Sequence, residues 1–187
     1  DYLKVASCSI KDWPLLDEIC TLGMPVIAST GGASIEDVDK VVSLFHHENI
    51  SLILMHCVGI YPTHNSNLQL NRIEWFKSRY QDIEVGFSTH EAPDQILPSA
   101  VAVGKGVMIF EKHVGLEDKS KKFELNAYSA NPEQVRAWLN CIDQSLKISG
   151  AIYEHSYTPK KEEKDGLLSL KRGAYAKKII DKDSEFD

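Results

Sequence analysis

The sequence has no apolar run approaching the ~18 residues that a membrane-crossing helix needs. No charged-then-apolar leader of the secretory kind opens it either. It holds only four cysteines, Cys8, Cys20, Cys57 and Cys141, and no CxxC pair. That spacing excludes a zinc knuckle and a disulfide frame, and it reads as the reduced thiols of a cytoplasmic protein. Positive charge is not in excess: the net charge is −6, and no basic stripe is interleaved with aromatics. Nucleic acid is therefore not an expected partner. Low-complexity tracts are absent, as are the G-x-G-x-x-G and Walker loops. Thr30-Gly31-Gly32 is glycine-rich but matches neither, so a nucleotide-binding fold loses ground.

What is present is a chain of 187 residues, 43% of them hydrophobic, enough for one sizeable core and one to two domains. Five short apolar runs recur, over residues 3–7, 25–29, 51–57, 84–88 and 107–113. Helical patterns fill the intervals. Asp12 can cap a helix with Pro14 in its first turn and Gly23 at its end. Ser34 with Asp37 resembles a capping box opening a helix to about Glu48. Leu70, Ile73 and Phe76 suggest a third helix, and Gln95 to about Val103 a fourth. After Asn131-Pro132, the spacing of Val135, Trp138, Leu139, Ile142 and Leu146 predicts a fifth, packed through that stripe, with Gly150 as its stop. Alternating β and α with near-continuous apolar strands means a parallel α/β sheet covered by helices. An open doubly wound sheet and a (β/α)8 TIM barrel both satisfy the pattern, and both place their sites at the C-terminal ends of the strands.

Those strand ends are polar. The stretch GVMIFEKHVG (106–115) reads as a strand buried on both faces that ends in Glu111, Lys112 and His113. Alternation puts Glu111 and His113 on one face and Lys112 on the other. The first run carries Lys4 and ends at Ser7. The second ends in Ser29-Thr30, the third in His56, running on to Tyr61, and the fourth in Ser88-Thr89-His90. Lysine and hydroxyls suit phosphate or carboxylate oxygens, and two neutral imidazoles suit a divalent metal with open positions. His56, inside an apolar strand end, reads as a hydrogen-bonded structural residue. His46, His47, His64 and His155 read as solvated, and the charge run 160–165 as an exposed linker.

Several stretches together resemble the sialic acid synthase (N-acetylneuraminate synthase) family: LKVASCSIKDWPLL (3–16), MPVIASTGG (24–32), LMHCVGIYPT (54–63), VGFSTHE (85–91) and FEKH (110–113). The likeness covers residues 1–150 and implies the C-terminal five βα units, strands four to eight, of a TIM barrel. Residues 151–169 would then be a linker. LKRGAYAKKIIDKD (170–183) resembles the opening of the antifreeze-like (SAF) domain that follows the barrel in that family, so residues 170–187 would begin it.

The resemblance implies a transferase. It would join phosphoenolpyruvate to an N-acyl-mannosamine or related amino-sugar aldose, with Mn2+ or Mg2+, giving a nine-carbon 2-keto sugar acid and phosphate. It implies that Lys4, Ser7 and Ser29 hold phosphoenolpyruvate, that Tyr61 belongs to the sugar pocket and that His90 and His113 bind the metal. Glu111 would act beside Lys4 in the catalytic set, orienting a ligand from behind His113. The full-length protein would be a homodimer, and a five-stranded fragment would be inactive alone.

Three positions depart from the family pattern. Ser9 stands where an acidic residue is usual, and a hydroxyl is a poor general base. Gly59 replaces a polar side chain. The loop after His113 lacks a Pro-Gly-Pro-Asp run, with Glu124 falling about where its Asp would be. A different sugar, another metal-dependent barrel aldolase or isomerase, and a non-catalytic truncated barrel are the alternatives.

Overall fold

A computed structural model describes residues 1–117, 124–150, 158–173 and 175–183. His155, much of the expected linker (151–157) and residues 184–187 of the expected last domain lie outside the described residues. The chain forms two units, Asp1–Ile152 and Tyr153–Asp187.

The first unit is a five-stranded parallel sheet in the order β1-β2-β3-β4-β5: Leu3–Val5, Val26–Ser29, Leu52–Cys57, Glu84–Thr89 and Phe110–Lys112. Helices α1 (Trp13–Thr21), α2 (Ile35–His47), α3 (Asn71–Arg79) and α4 (Leu97–Gly104) connect the strands. Helix α5 (Pro132–Ser149) follows β5. Three of these helices, α1, α2 and α5, begin at caps the sequence supplies. Asp12 accepts from the Leu15 amide, and Ser34–Asp37 and Asn131–Gln134 form reciprocal capping boxes. Alternation sorts the strands. Val5, Val26, Ala28, Leu54, Val85 and Phe87 face the helices and meet Leu16, Val38, Val41, Phe45, Ile73 and Phe76 in a continuous core.

The other face curls inward. Five strands at the usual spacing span roughly 19 Å when flat. Yet Lys4 of β1 and Glu111 of β5 approach to 3.4 Å. A half-barrel brings these two ends of the sheet within side-chain reach.

Three expectations change. β1 ends at Val5, and Ser7 instead opens a 3-10 turn, Ser7–Ser9. β5 begins only at Phe110 and is half-buried, with Met108 exposed, because among the described strands it has a neighbour on one side only. Of the α5 stripe, Trp138 is buried and Leu139 is exposed.

In the second unit, Lys161–Leu168 form helix α6, so most of the charge run is helical, with every residue of the helix exposed. No helix among the described residues is long and apolar enough to cross a membrane.

Candidate functional site

The concave face carries Lys4, Ser29, Cys57, Ser88, His90, Glu111 and His113, all at or just beyond the C-terminal ends of the strands. Lys4 is the cationic centre. Its Nζ donates to Ser29 Oγ at 2.8 Å and to the Val5 carbonyl at 3.1 Å, and it faces Glu111. Glu111 therefore pairs with Lys4 across the half-barrel; it makes no hydrogen bond to either imidazole among the described residues.

Ser7, although in a turn, is drawn in beside them. Its Oγ accepts from the Gly31 amide at 3.0 Å and donates to Cys57 Sγ at 3.4 Å. A Cβ on Gly31 would lie 2.8 Å from that oxygen, which explains a glycine there. Cys57 Sγ in turn lies 3.6 Å from His90 Nδ1. The hydroxyl set and the imidazole set thus abut.

His90 and His113 stand with ring centroids 5.2 Å apart. The register Thr89↔Lys112 places them opposite one another one residue later. His90 Nδ1 lies 3.0 Å from the Val58 carbonyl, which fixes that nitrogen as the N–H and leaves the Nε2 lone pair free. Burial holds its pKa below the ordinary imidazole range; the Val58 carbonyl opposes this, and neighbouring His113 adds to it. Among the described residues no group of three or more His, Cys, Asp or Glu could hold a metal ion. Two imidazoles side by side are nonetheless a donor pair of the kind that suits a divalent cation.

Tyr61 covers this pair, its ring 4.4 Å from His90. Its loop is pinned by the Thr63 amide, which donates to the His90 carbonyl at 2.8 Å. Burial raises the Tyr61 pKa, so the phenol stays protonated. Ser9 is half-buried in the turn after β1. Glu124 is exposed. His56 faces the helices, fully buried, with Nε2 2.7 Å from the Leu68 carbonyl.

Two features escaped the sequence. Tyr128 stacks edge-on against His113 at 5.0 Å and meets Tyr61 at 5.1 Å. It arrives because 129–130 return to the strand end, where the Ala130 amide donates to the His113 carbonyl. Behind the imidazoles, Lys112 and Glu91 form a buried ion pair. Alternation assigned Lys112 to the back face, but nothing in its spacing named a partner.

The NeuB family model matches residues 1–154. An N-acetylneuraminate-9-phosphate synthase from Drosophila melanogaster is 30% identical over 149 residues, 79% of this chain and 39% of that protein. A pseudaminic acid synthase from Campylobacter jejuni is 32% identical over 148 residues, 79% of this chain and 42% of that protein. A solved structure from Chromobacterium violaceum, ascribed to spore coat polysaccharide biosynthesis protein E, matches with a TM-score of 0.85 and 44% identity. It covers 92% of this chain and 50% of that one. The chain spans about half or less of the length of these relatives.

Proposed function

This chain belongs to the NeuB family, and on that premise we propose that the protein carrying it condenses phosphoenolpyruvate with an N-acyl-mannosamine or a related aldose. The products would be a nine-carbon 2-keto sugar acid and phosphate. The observation that carries this reading is the contact between two sets of groups. Lys4, Ser29 and Ser7 offer a cation and hydroxyls, and Ser7 adjoins His90 of the imidazole pair through Cys57.

Lys4 and the hydroxyls hold the phosphate and carboxylate, setting the enol carbon toward the imidazole pair. Glu111 holds the Lys4 ammonium in place through its ion pair. His90 and His113 would hold Mn2+ or Mg2+, which supplies Lewis-acid polarisation of the aldehyde oxygen. The rings of Tyr61 and Tyr128 would wall the sugar side. The terminal enol carbon attacks the aldehyde carbon, water adds at the phosphate-bearing carbon and gives up a proton, and phosphate leaves as the 2-keto group forms. Ser9 supplies no carboxylate for that proton, so another group must, and Gly59 gives one contact fewer. Both favour a sugar other than N-acetylmannosamine. The remaining strands and a dimer partner would complete the site in a cytoplasmic protein, and residues 170–187 would open its SAF domain.

The test separates this reaction from an aldolase. The intact gene product, Mn2+ and an aldose panel are incubated with phosphoenolpyruvate or with pyruvate, and the keto acid is detected by mass spectrometry. Product from phosphoenolpyruvate alone supports the synthase; product from pyruvate would replace it with an aldolase.

A further inference from the structure

The rung that carries the two imidazoles lies beyond the end of the ladder. β4 and β5 pair through Ser88↔Glu111 and Thr89↔Lys112, and His90 and His113 come one residue later. That rung lies outside the paired register of the two strands. The Thr63 amide holds the His90 carbonyl and the Ala130 amide holds the His113 carbonyl, but each ties its strand end to a different loop. Neither fixes one imidazole relative to the other.

The back of the sheet does. Glu91 follows His90 and Lys112 precedes His113, so alternation turns both away from the concave face. Lys112 Nζ meets Glu91 Oε1 at 3.0 Å and Thr89 Oγ1 at 3.3 Å. The Lys112 and Glu91 side chains are 1% and 0% exposed. Trp138 of α5 lies over the ammonium, with its centroid at 5.7 Å, and its indole N–H donates to Ser99 of α4. Glu91 Oε2 makes no hydrogen bond, so the carboxylate is committed to Lys112 through one oxygen.

Such a pair is a poor way to gain stability. Desolvating both charges offsets most of their attraction, and an apolar pair of the same volume serves as well or better. What an ion pair adds is a defined distance. This one spans the same two chain ends as the imidazoles, from the opposite side.

We propose that Glu91–Lys112 is a positioning strap that sets the spacing and splay of His90 and His113 for a shared divalent cation. The inference rests on the reading of those imidazoles as metal ligands. Neither strap residue touches substrate or metal. The strap acts through the backbone, as outer-shell partners of metal ligands commonly act on ligand geometry.

The test is Mn2+ affinity, read from the free-ion EPR signal during titration of the intact gene product with Mn2+ alone. The double variant Glu91→Leu/Lys112→Met replaces the pair with apolar groups. It is expected to melt near the wild type yet bind Mn2+ about 10- to 100-fold more weakly, the range seen when outer-shell partners are lost. Lys112→Arg, which keeps the ion pair, is expected to retain the wild-type affinity. A folded double variant with wild-type affinity would overturn the strap. Should the double variant not fold, Glu91→Asp retains the charge but shortens the reach by one methylene. Several-fold weaker binding is expected there, and unchanged binding would also overturn the strap. A wild type that takes up no Mn2+ removes the metal reading itself, an outcome distinct from a wild type that binds and a strapless variant that binds equally.

Discussion

His56 and His90 lie on opposite faces of one sheet, and their surroundings give them different tasks. His56 packs against Phe87 and Phe76 and donates from Nε2 to the Leu68 carbonyl. Burial, as the largest influence, pushes its pKa down. A group whose folded pKa is depressed is neutral in the fold and takes up its proton more readily on unfolding. The stability tied to it is complete above the unfolded value near 6.5 and falls as pH drops below it, by at most about 1.4 kcal/mol per pH unit for one proton. Denaturant midpoints between pH 7.5 and 5.5 are expected to fall, and His56→Gln to flatten that slope from a lower starting stability. An equal slope in the variant would assign the pH dependence elsewhere. Tyr128 carries a second prediction. Tyr128→Ala removes a ring contact from His113 and is expected to weaken Mn2+ binding about 2- to 10-fold, the equivalent of one aromatic pair. Tyr128→Phe is expected to change little, and equal losses in both variants would place the effect in the hydroxyl. Lys4, Ser29, His90 and His113 were legible because alternation and strand ends determine where they point. Tyr128 was not, because a loop return has no periodicity. The back-face partner of Lys112 is likewise set only by how the strand ends and α5 pack.

At the scale of elements, α1, α2 and α5 announced themselves through their caps. The Ser34–Asp37 box is present on both sides, so Ser34→Ala is expected to lower stability by about 1 kcal/mol, measurable by urea denaturation. The strands were legible in number and order but less so in extent. Apolar residues 107–109 read as strand, yet Gly106 adopts φ +74°, Met108 is exposed and pairing begins at Phe110. Beside a strand with one described neighbour the run is buried unevenly, Val107 fully and Met108 not. One glycine has a role that the pattern did not show. Gly86 points into the concave face, and a Cβ there would meet the Met55 sulfur and lie 2.7 Å from the Ile109 carbonyl. Gly86→Ala is expected to lower stability by about 1–3 kcal/mol, because the β4–β5 backbone cannot yield as a flexible side chain can. A neutral result would mean that β5 shifts freely.

At the scale of the whole molecule, the parallel order and the inward curl bring the Lys4 ammonium and the Ser29 hydroxyl of β1 and β2 to the face that carries the imidazoles at the ends of β4 and β5. The fold class followed from alternation, while the choice of a barrel over an open sheet came from the family resemblance. The contact between Lys4 and Glu111 shows the curl directly. Because the chain spans about half or less of its relatives' length, it is expected to release no phosphate by itself, and a full turnover rate from this polypeptide would contradict that. The most direct measurement is phosphate release by the intact gene product supplied with Mn2+, phosphoenolpyruvate and a panel of N-acyl-mannosamines and related aldoses. The account predicts release that needs both an aldose and the metal and is lost in His90→Ala and His113→Ala. A folded protein that binds Mn2+ but releases no phosphate with any aldose would contradict it.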